Sequence, residues 1–130
     1  MSEFEISGRR IGSQYEPYII AEMSANHGGE FGKAIDIIHA AKDSGADAVK
    51  LQTYRADTIT LDSEKEDFRI DSDNPWTEHK MLYPLYEKAF TPWEWHEDLF
   101  NHAKNNNMLA FSSPFEEKAV DFLEELNVPA

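Results

Sequence analysis

Tyr18-Ile19-Ile20-Ala21-Glu22-Met23-Ser24-Ala25-Asn26-His27 is the stretch on which the fold turns. Its apolar start reads as a parallel strand packed on both faces. Its end carries Glu22, Ser24 and Asn26 at alternate positions, which on a strand share one side. A second stretch, Ala48-Val49-Lys50-Leu51-Gln52-Thr53-Tyr54, repeats the design, with Lys50, Gln52 and Tyr54 in one phase. A third, Leu109-Ala110-Phe111-Ser112-Ser113-Pro114-Phe115, ends on two hydroxyls and a proline. Strands whose carboxyl ends carry polar groups describe the active face of an α/β barrel.

Helices alternate with these strands. Ala34, Ile37, Ile38 and Ala41 recur at helical spacing and predict a helix from about Phe31 to Ser44, ended by Gly45. Thr91-Pro92-Trp93-Glu94 has the form of a capping box with proline at the first helical position, opening a helix that runs to about Asn105. A third helix spans about Glu116 to Leu126, with Ala119, Phe122, Leu123 and Leu126 turned inward. Ahead of the strands, Phe4–Ile6 and Arg9–Ile11 flank Ser7-Gly8 as a small hairpin within residues 1–17. The order predicts a parallel sheet. The fold class is α/β, the amino-terminal portion of a (β/α)8 TIM-type barrel with about three βα units. A complete barrel needs about 250 residues, so 130 residues are expected to be a fragment or a truncated relative.

Residues 55–90 form an insertion after the second strand. Loops of this length are commonly lids or binding loops, and this one leaves a strand's carboxyl end. Its first part is acidic. Its second, from about Thr77 to Ala89, places Leu82, Leu85, Tyr86 and Ala89 at helical spacing.

Composition excludes several functions. A net charge of −13 makes nucleic acid and anionic membrane surfaces poor partners. The absence of cysteine removes disulfides and thiol chemistry. No apolar run approaches the ~20 residues that span a bilayer, and no secretory signal opens the chain, so a cytoplasmic location is expected.

Lys50 is the sharpest candidate. A lysine between Val49 and Leu51 is costly to bury unless an anion meets its ammonium. It either pairs with Glu22 or holds a ligand phosphate or carboxylate. Glu22 is either a general acid or base or an anchor for the neighbouring loop. Ser112 and Ser113 precede an acidic helix start, where hydroxyls and amides hold phosphate or a serine caps the helix. Trp76, in the acidic loop, is a candidate for stacking on a sugar ring. Two motifs fail. The stretch from His27 to Ala34 misses the phosphate-loop pattern at its first glycine and at Ala34, and His96 and His102 lack the i, i+4 spacing of a zinc pair.

Tyr18 to His27, Ala40 to Thr53 and Phe111-Ser112-Ser113-Pro114-Phe115 resemble the sialic acid synthases. Gln52-Thr53-Tyr54, Asp57 to Asp62 and Thr91 to Trp95 are most similar to the pseudaminic acid synthase branch. The resemblance implies condensation of phosphoenolpyruvate with an N-acetylated amino-sugar acceptor into a nine-carbon keto acid, with phosphate released. It implies that Lys50 contacts phosphoenolpyruvate, that Ser113 lies near the phosphate, and that Glu22 and Gln52 face the acceptor, with Asn26 in the same motif. It also implies a divalent metal, manganese or magnesium, in the intact enzyme, with ligands outside this chain. A homo-oligomer is expected. Alternatives are an N-acetylneuraminate or legionaminate synthase, or a non-catalytic half-barrel that pairs its open sheet edge with a partner.

Overall fold

The computed structural model describes residues 3–71 and 77–130, the side chain of Thr77 excepted. Strands β1 (Phe4–Ile6) and β2 (Arg9–Ile11) form the predicted antiparallel hairpin. Its turn residues Ser7 and Gly8 both have positive φ, 48° and 84°, the conformation that matches strand twist in a two-residue turn.

Strands β3 (Ile20–Glu22), β4 (Ala48–Thr53) and β5 (Leu109–Pro114) make a parallel sheet in the order β3-β4-β5. Helix α1 (Phe31–Asp43) connects β3 to β4, and Gly45 ends its turn at φ 84°, as the sequence predicts. Helices α2 (Ala56–Ile59), α3 (Leu82–Ala89) and α4 (His96–Asn105) lie between β4 and β5, and α5 (Glu117–Glu125) follows. Val49 and Leu51 of β4 and Ala110 of β5 pack on Ala34, Ile38 and Ala41 of α1 and on Leu99 and Ala103 of α4. Met23 and Met108 complete this core. The molecule is an α/β layer, one sheet face covered by helices.

Asp47 joins the hairpin to the sheet. Its carboxylate accepts the Ile19 N–H at 2.7 Å and pairs with the Arg9 guanidinium. Arg9 also donates to the Pro17 carbonyl at 3.1 Å and lies over the Tyr18 ring.

Four expectations are corrected. The start of the first strand is not packed on both faces: Ile19 is 53% exposed and Ile20 38%, because β3 is an edge strand with helix cover on one side. Nor do Glu22, Ser24 and Asn26 leave the strand together. The strand ends at Glu22, Ser24 turns to φ 47°, and Asn26 folds back to give both its backbone N–H and its side-chain amide to the Met23 carbonyl. The helix expected from Thr77 divides into a 3-10 turn, Thr77–His79, and α3. Lys80 lies between them at φ 52°, and Met81 is extended to bridge Arg69. Finally, the Thr91 hydroxyl does not cap a helix. It is buried against His27, and a 3-10 turn, Trp93–Trp95, leads into α4.

Asp47→Ala should cost about 1–2 kcal/mol, the usual range for unpairing a partly buried hydrogen-bonded group. A urea titration measures this as a lowered midpoint; an unchanged midpoint would mean that the hairpin contributes nothing to the sheet.

Candidate active site on the open sheet face

The pleat of β4 separates two chemistries. Val49, Leu51 and Thr53 are buried toward the helices, while Lys50 and Gln52 point to the other face and are half-buried. Parallel pairing sets Glu22 beside Lys50 and Gln52 beside Ser113. Residues paired this way in adjacent strands extend to the same face, so Glu22, Lys50, Gln52 and Ser113 share one patch at the carboxyl ends of the strands. Lys50 Nζ lies 2.8 Å from Glu22 Oε1.

That ion pair is wet. The side chains of Lys50 and Glu22 are 27% and 52% exposed, so neither charge is enclosed by apolar residues. Ion pairs open to water contribute about 0–1 kcal/mol. The fold therefore depends little on this contact, and the ammonium can exchange its carboxylate for a ligand anion at small cost.

Ser112 belongs to the opposite face. It is buried, with its Oγ 2.6 Å from Thr53 Oγ1, which is 2.8 Å from His96 Nε2. His96 Nδ1 lies 3.2 Å from the Pro92 carbonyl. A carbonyl can only accept, so Nδ1 carries the imidazole proton, Nε2 accepts from Thr53, and Thr53 accepts from Ser112. Both hydroxyls of this relay have partners, and Ser112 points to the helices rather than to the patch. No serine caps α5 either; that position is Glu116, whose carboxylate accepts the Lys118 N–H at 3.0 Å.

A second buried imidazole ties the turn after β3 to the chain ahead of α4. The Gly29 N–H donates to His27 Nδ1 at 3.0 Å, so Nε2 is protonated and donates to Thr91 Oγ1, also at 3.0 Å. Burial lowers the pKa of His27, and the charge of Lys33 adds to the effect. Burial also lowers that of His96, offset in part by backbone hydrogen bonds at Pro92 and Trp93. The sequence reading missed these roles. The available signal was Thr53 and Ser112 themselves, polar residues in the helix-facing phase that needed a buried partner.

The other predicted residues are placed as follows. Asn26 is exposed on the turn after β3. Tyr54 leaves the strand and is buried edge-on against Tyr86 and Phe115, with burial and then Tyr86 pushing its hydroxyl pKa up to about 12. It holds α3 to the end of β4. Trp76 lies outside the described residues. The insertion helps to form a cleft of about 430 Å³, lined by Arg55, Asp57, Tyr83, Glu87 and Trp93 among others, and none of the predicted site residues within the described part of the chain lines it. Among the described residues no three histidine or carboxylate side chains are placed to hold a metal ion. The divalent metal that the resemblance implies thus has no ligand set among them.

The fold is a parallel α/β layer that carries a lysine, a carboxylate, an amide and a hydroxyl on one face of its strand ends, and residues 37–130 match the NeuB family profile. The chain belongs to the NeuB family. Within it the chain falls in the pseudaminic branch: it is 51% identical over 110 residues to the pseudaminic acid synthase of Campylobacter jejuni, covering 85% of this chain and 32% of that one. To the N,N'-diacetyllegionaminic acid synthase of Legionella pneumophila the identity is 37%, covering 90% and 32%. The crystal structure of N-acetylneuraminic acid synthetase from Leptospira borgpetersenii, in complex with citrate, superposes with a TM-score of 0.78 at 25% identity, over 98% of this chain and 39% of that one. The chain thus spans about a third of the length of the curated relatives it matches.

The buried imidazoles predict a pH dependence. The folded pKa values of His27 and His96 lie below the unfolded value of about 6.5, so between the two the unfolded chain binds protons that the native chain refuses. Their contribution to stability is complete above about pH 6.5 and is lost as pH falls through the folded values. Melting temperature measured from pH 7.5 to 5 should decline below about 6.5, and less steeply in His96→Asn. An equal slope in the variant would show that carboxylates alone set the profile.

Proposed function

We propose that the patch of Glu22, Lys50, Gln52 and Ser113 binds phosphoenolpyruvate and an N-acetylated amino-sugar aldehyde for their condensation to a pseudaminic-type nine-carbon keto acid. The observation that carries this reading is the solvent-open Lys50–Glu22 pair, 2.8 Å long, at the carboxyl ends of parallel strands. In barrel enzymes that is where chemistry resides, and the present sheet is read as the first part of such a barrel.

Lys50 takes the anion of phosphoenolpyruvate, with Ser113 beside the phosphate. Gln52 and the displaced Glu22 face the acceptor, and Asn26, on the turn next to Glu22, is assigned to the same edge. Trp76 is assigned to the acceptor's ring. A carbon–carbon bond forms between C3 of phosphoenolpyruvate and the aldehyde carbon, whose oxygen gains a proton and becomes a hydroxyl. Water adds at C2 and gives up both its protons, one to the aldehyde oxygen and one to the phosphate, as the C2–O bond to phosphate breaks and the keto acid forms. Glu22, released from Lys50 once the ligand anion arrives, is the carboxylate placed to carry a proton in this exchange. The relatives named as pseudaminic acid synthases favour that acceptor over those of legionaminate and N-acetylneuraminate.

Lys50→Ala tests the assignment. Calorimetric titration should show phosphoenolpyruvate binding lost, while the melting curve moves little, since the exposed pair contributes at most about 1 kcal/mol. Unchanged affinity with a collapsed melting temperature would make the lysine a structural residue.

The exposed edge of β3 supports a homo-oligomer. Ile19 and Ile20 are uncovered apolar side chains on an edge strand, a template for association. Light scattering should give a mass above the 14.9 kDa of one chain, and Ile19→Lys should lower it; a monomer at all concentrations would remove this reading.

A further inference from the structure

We propose that His39 of α1 and His102 of α4 form a two-imidazole site for a divalent transition-metal ion that clips the two helices together. Their Nε2 atoms are 3.0 Å apart, and the ring centroids are 4.9 Å apart at an interplanar angle of 85°. A straight N–H···N hydrogen bond of that length would hold the centroids about 5.3 Å apart. The shorter observed separation means that the two rings are bent away from a collinear hydrogen bond.

A metal bound by both Nε2 atoms fits both distances. With metal–nitrogen bonds of about 2.0–2.1 Å, two imidazole nitrogens stand about 2.9 Å apart at a right angle and about 3.4 Å at a tetrahedral one. The corresponding centroid separations are about 4.5 and 5.2 Å. The observed 3.0 and 4.9 Å fall within both ranges, so the pair can close on a metal with only small side-chain adjustment. The ring that donates through Nε2 moves its proton to Nδ1, and both nitrogens then present lone pairs. Water completes the coordination, because no third histidine or carboxylate converges there among the described residues.

The surroundings favour a cation. Asp36 and Asp43 stand about one helical turn from His39, and Asp98 about one turn before His102. Against it stand Lys42, whose ammonium is held by the Asn107 carbonyl at 3.0 Å, and Lys104, two residues after His102. Imidazole pairs near a right angle suit nickel(II) and copper(II), which also bind nitrogen donors more tightly than zinc(II) in the case of copper; oxygen-seeking magnesium has no donors here. This site is separate from the Glu22–Lys50 patch and does not rest on the function assigned to it.

Because the two ligands meet only in the folded chain, bound metal raises the melting temperature. Tag-free, chelator-treated protein titrated with nickel chloride should bind one ion and melt at a higher temperature, whereas magnesium chloride should produce no shift. His39→Ala and His102→Ala should each lower nickel affinity at least tenfold, while His79→Ala leaves it unchanged. Copper(II) electron paramagnetic resonance should show hyperfine coupling to two imidazole nitrogens, reduced to one in either variant. Circular dichroism confirms that the variants fold, and His39→Gln serves if the alanine form does not. No nickel binding, or binding that survives both substitutions, would overturn the site.

Discussion

The pleat of β4 is the constraint on which the rest depends. Hydrogen-bonded to β3 on one side and β5 on the other, it cannot slip by one residue without turning Lys50 and Gln52 into the helices and Leu51 and Thr53 out to solvent. Burial of Val49 and Leu51 under α1 and α4 thus sets the direction of Lys50. The polar patch proposed as the substrate site inherits its geometry from an apolar core on the other side of the same strand.

The two faces treat polar groups differently. On the open face, Lys50 and Glu22 meet in water, and their contact is weak and exchangeable. Beneath the helices, Ser112, Thr53 and His96 have no water to fall back on. An unpaired buried hydroxyl or imidazole nitrogen there would cost about 1–3 kcal/mol, which is why the chain of donors runs without a gap to the Pro92 carbonyl. His27 and Thr91 repeat the solution between the β3 turn and the approach to α4. These two imidazoles stay neutral and join segments, so their chemistry is consumed by the fold.

Much of the architecture was legible from neighbouring residues. The hairpin at Ser7-Gly8, the stop at Gly45 and the apolar spacing of α1 and α5 each follow from preferences that act over a few residues. The alternation in Ala48 to Thr53 likewise placed Lys50 and Gln52 on one side. Where the reading failed, a local preference met a distant partner. The Thr91 hydroxyl left its own helix for His27, 64 residues away. The predicted helix from Thr77 broke where Met81 extends to pair with Arg69.

Ser112 and Ser113 divide the two kinds of information most clearly. Sequence alone determined that two hydroxyls end the third strand, that β4 bears a lysine and a glutamine in one phase, and that helices alternate with parallel strands, because periodicity and turn chemistry are properties of adjacent residues. Only the tertiary structure decided that Ser113 joins the patch while Ser112 turns to Thr53, 59 residues away. It also decided that Ile19 and Ile20 lie on an uncovered edge, and that His39 meets His102 across 63 residues. These outcomes depend on which strand lies beside which and on the face that the helices cover, and no local preference carries that information.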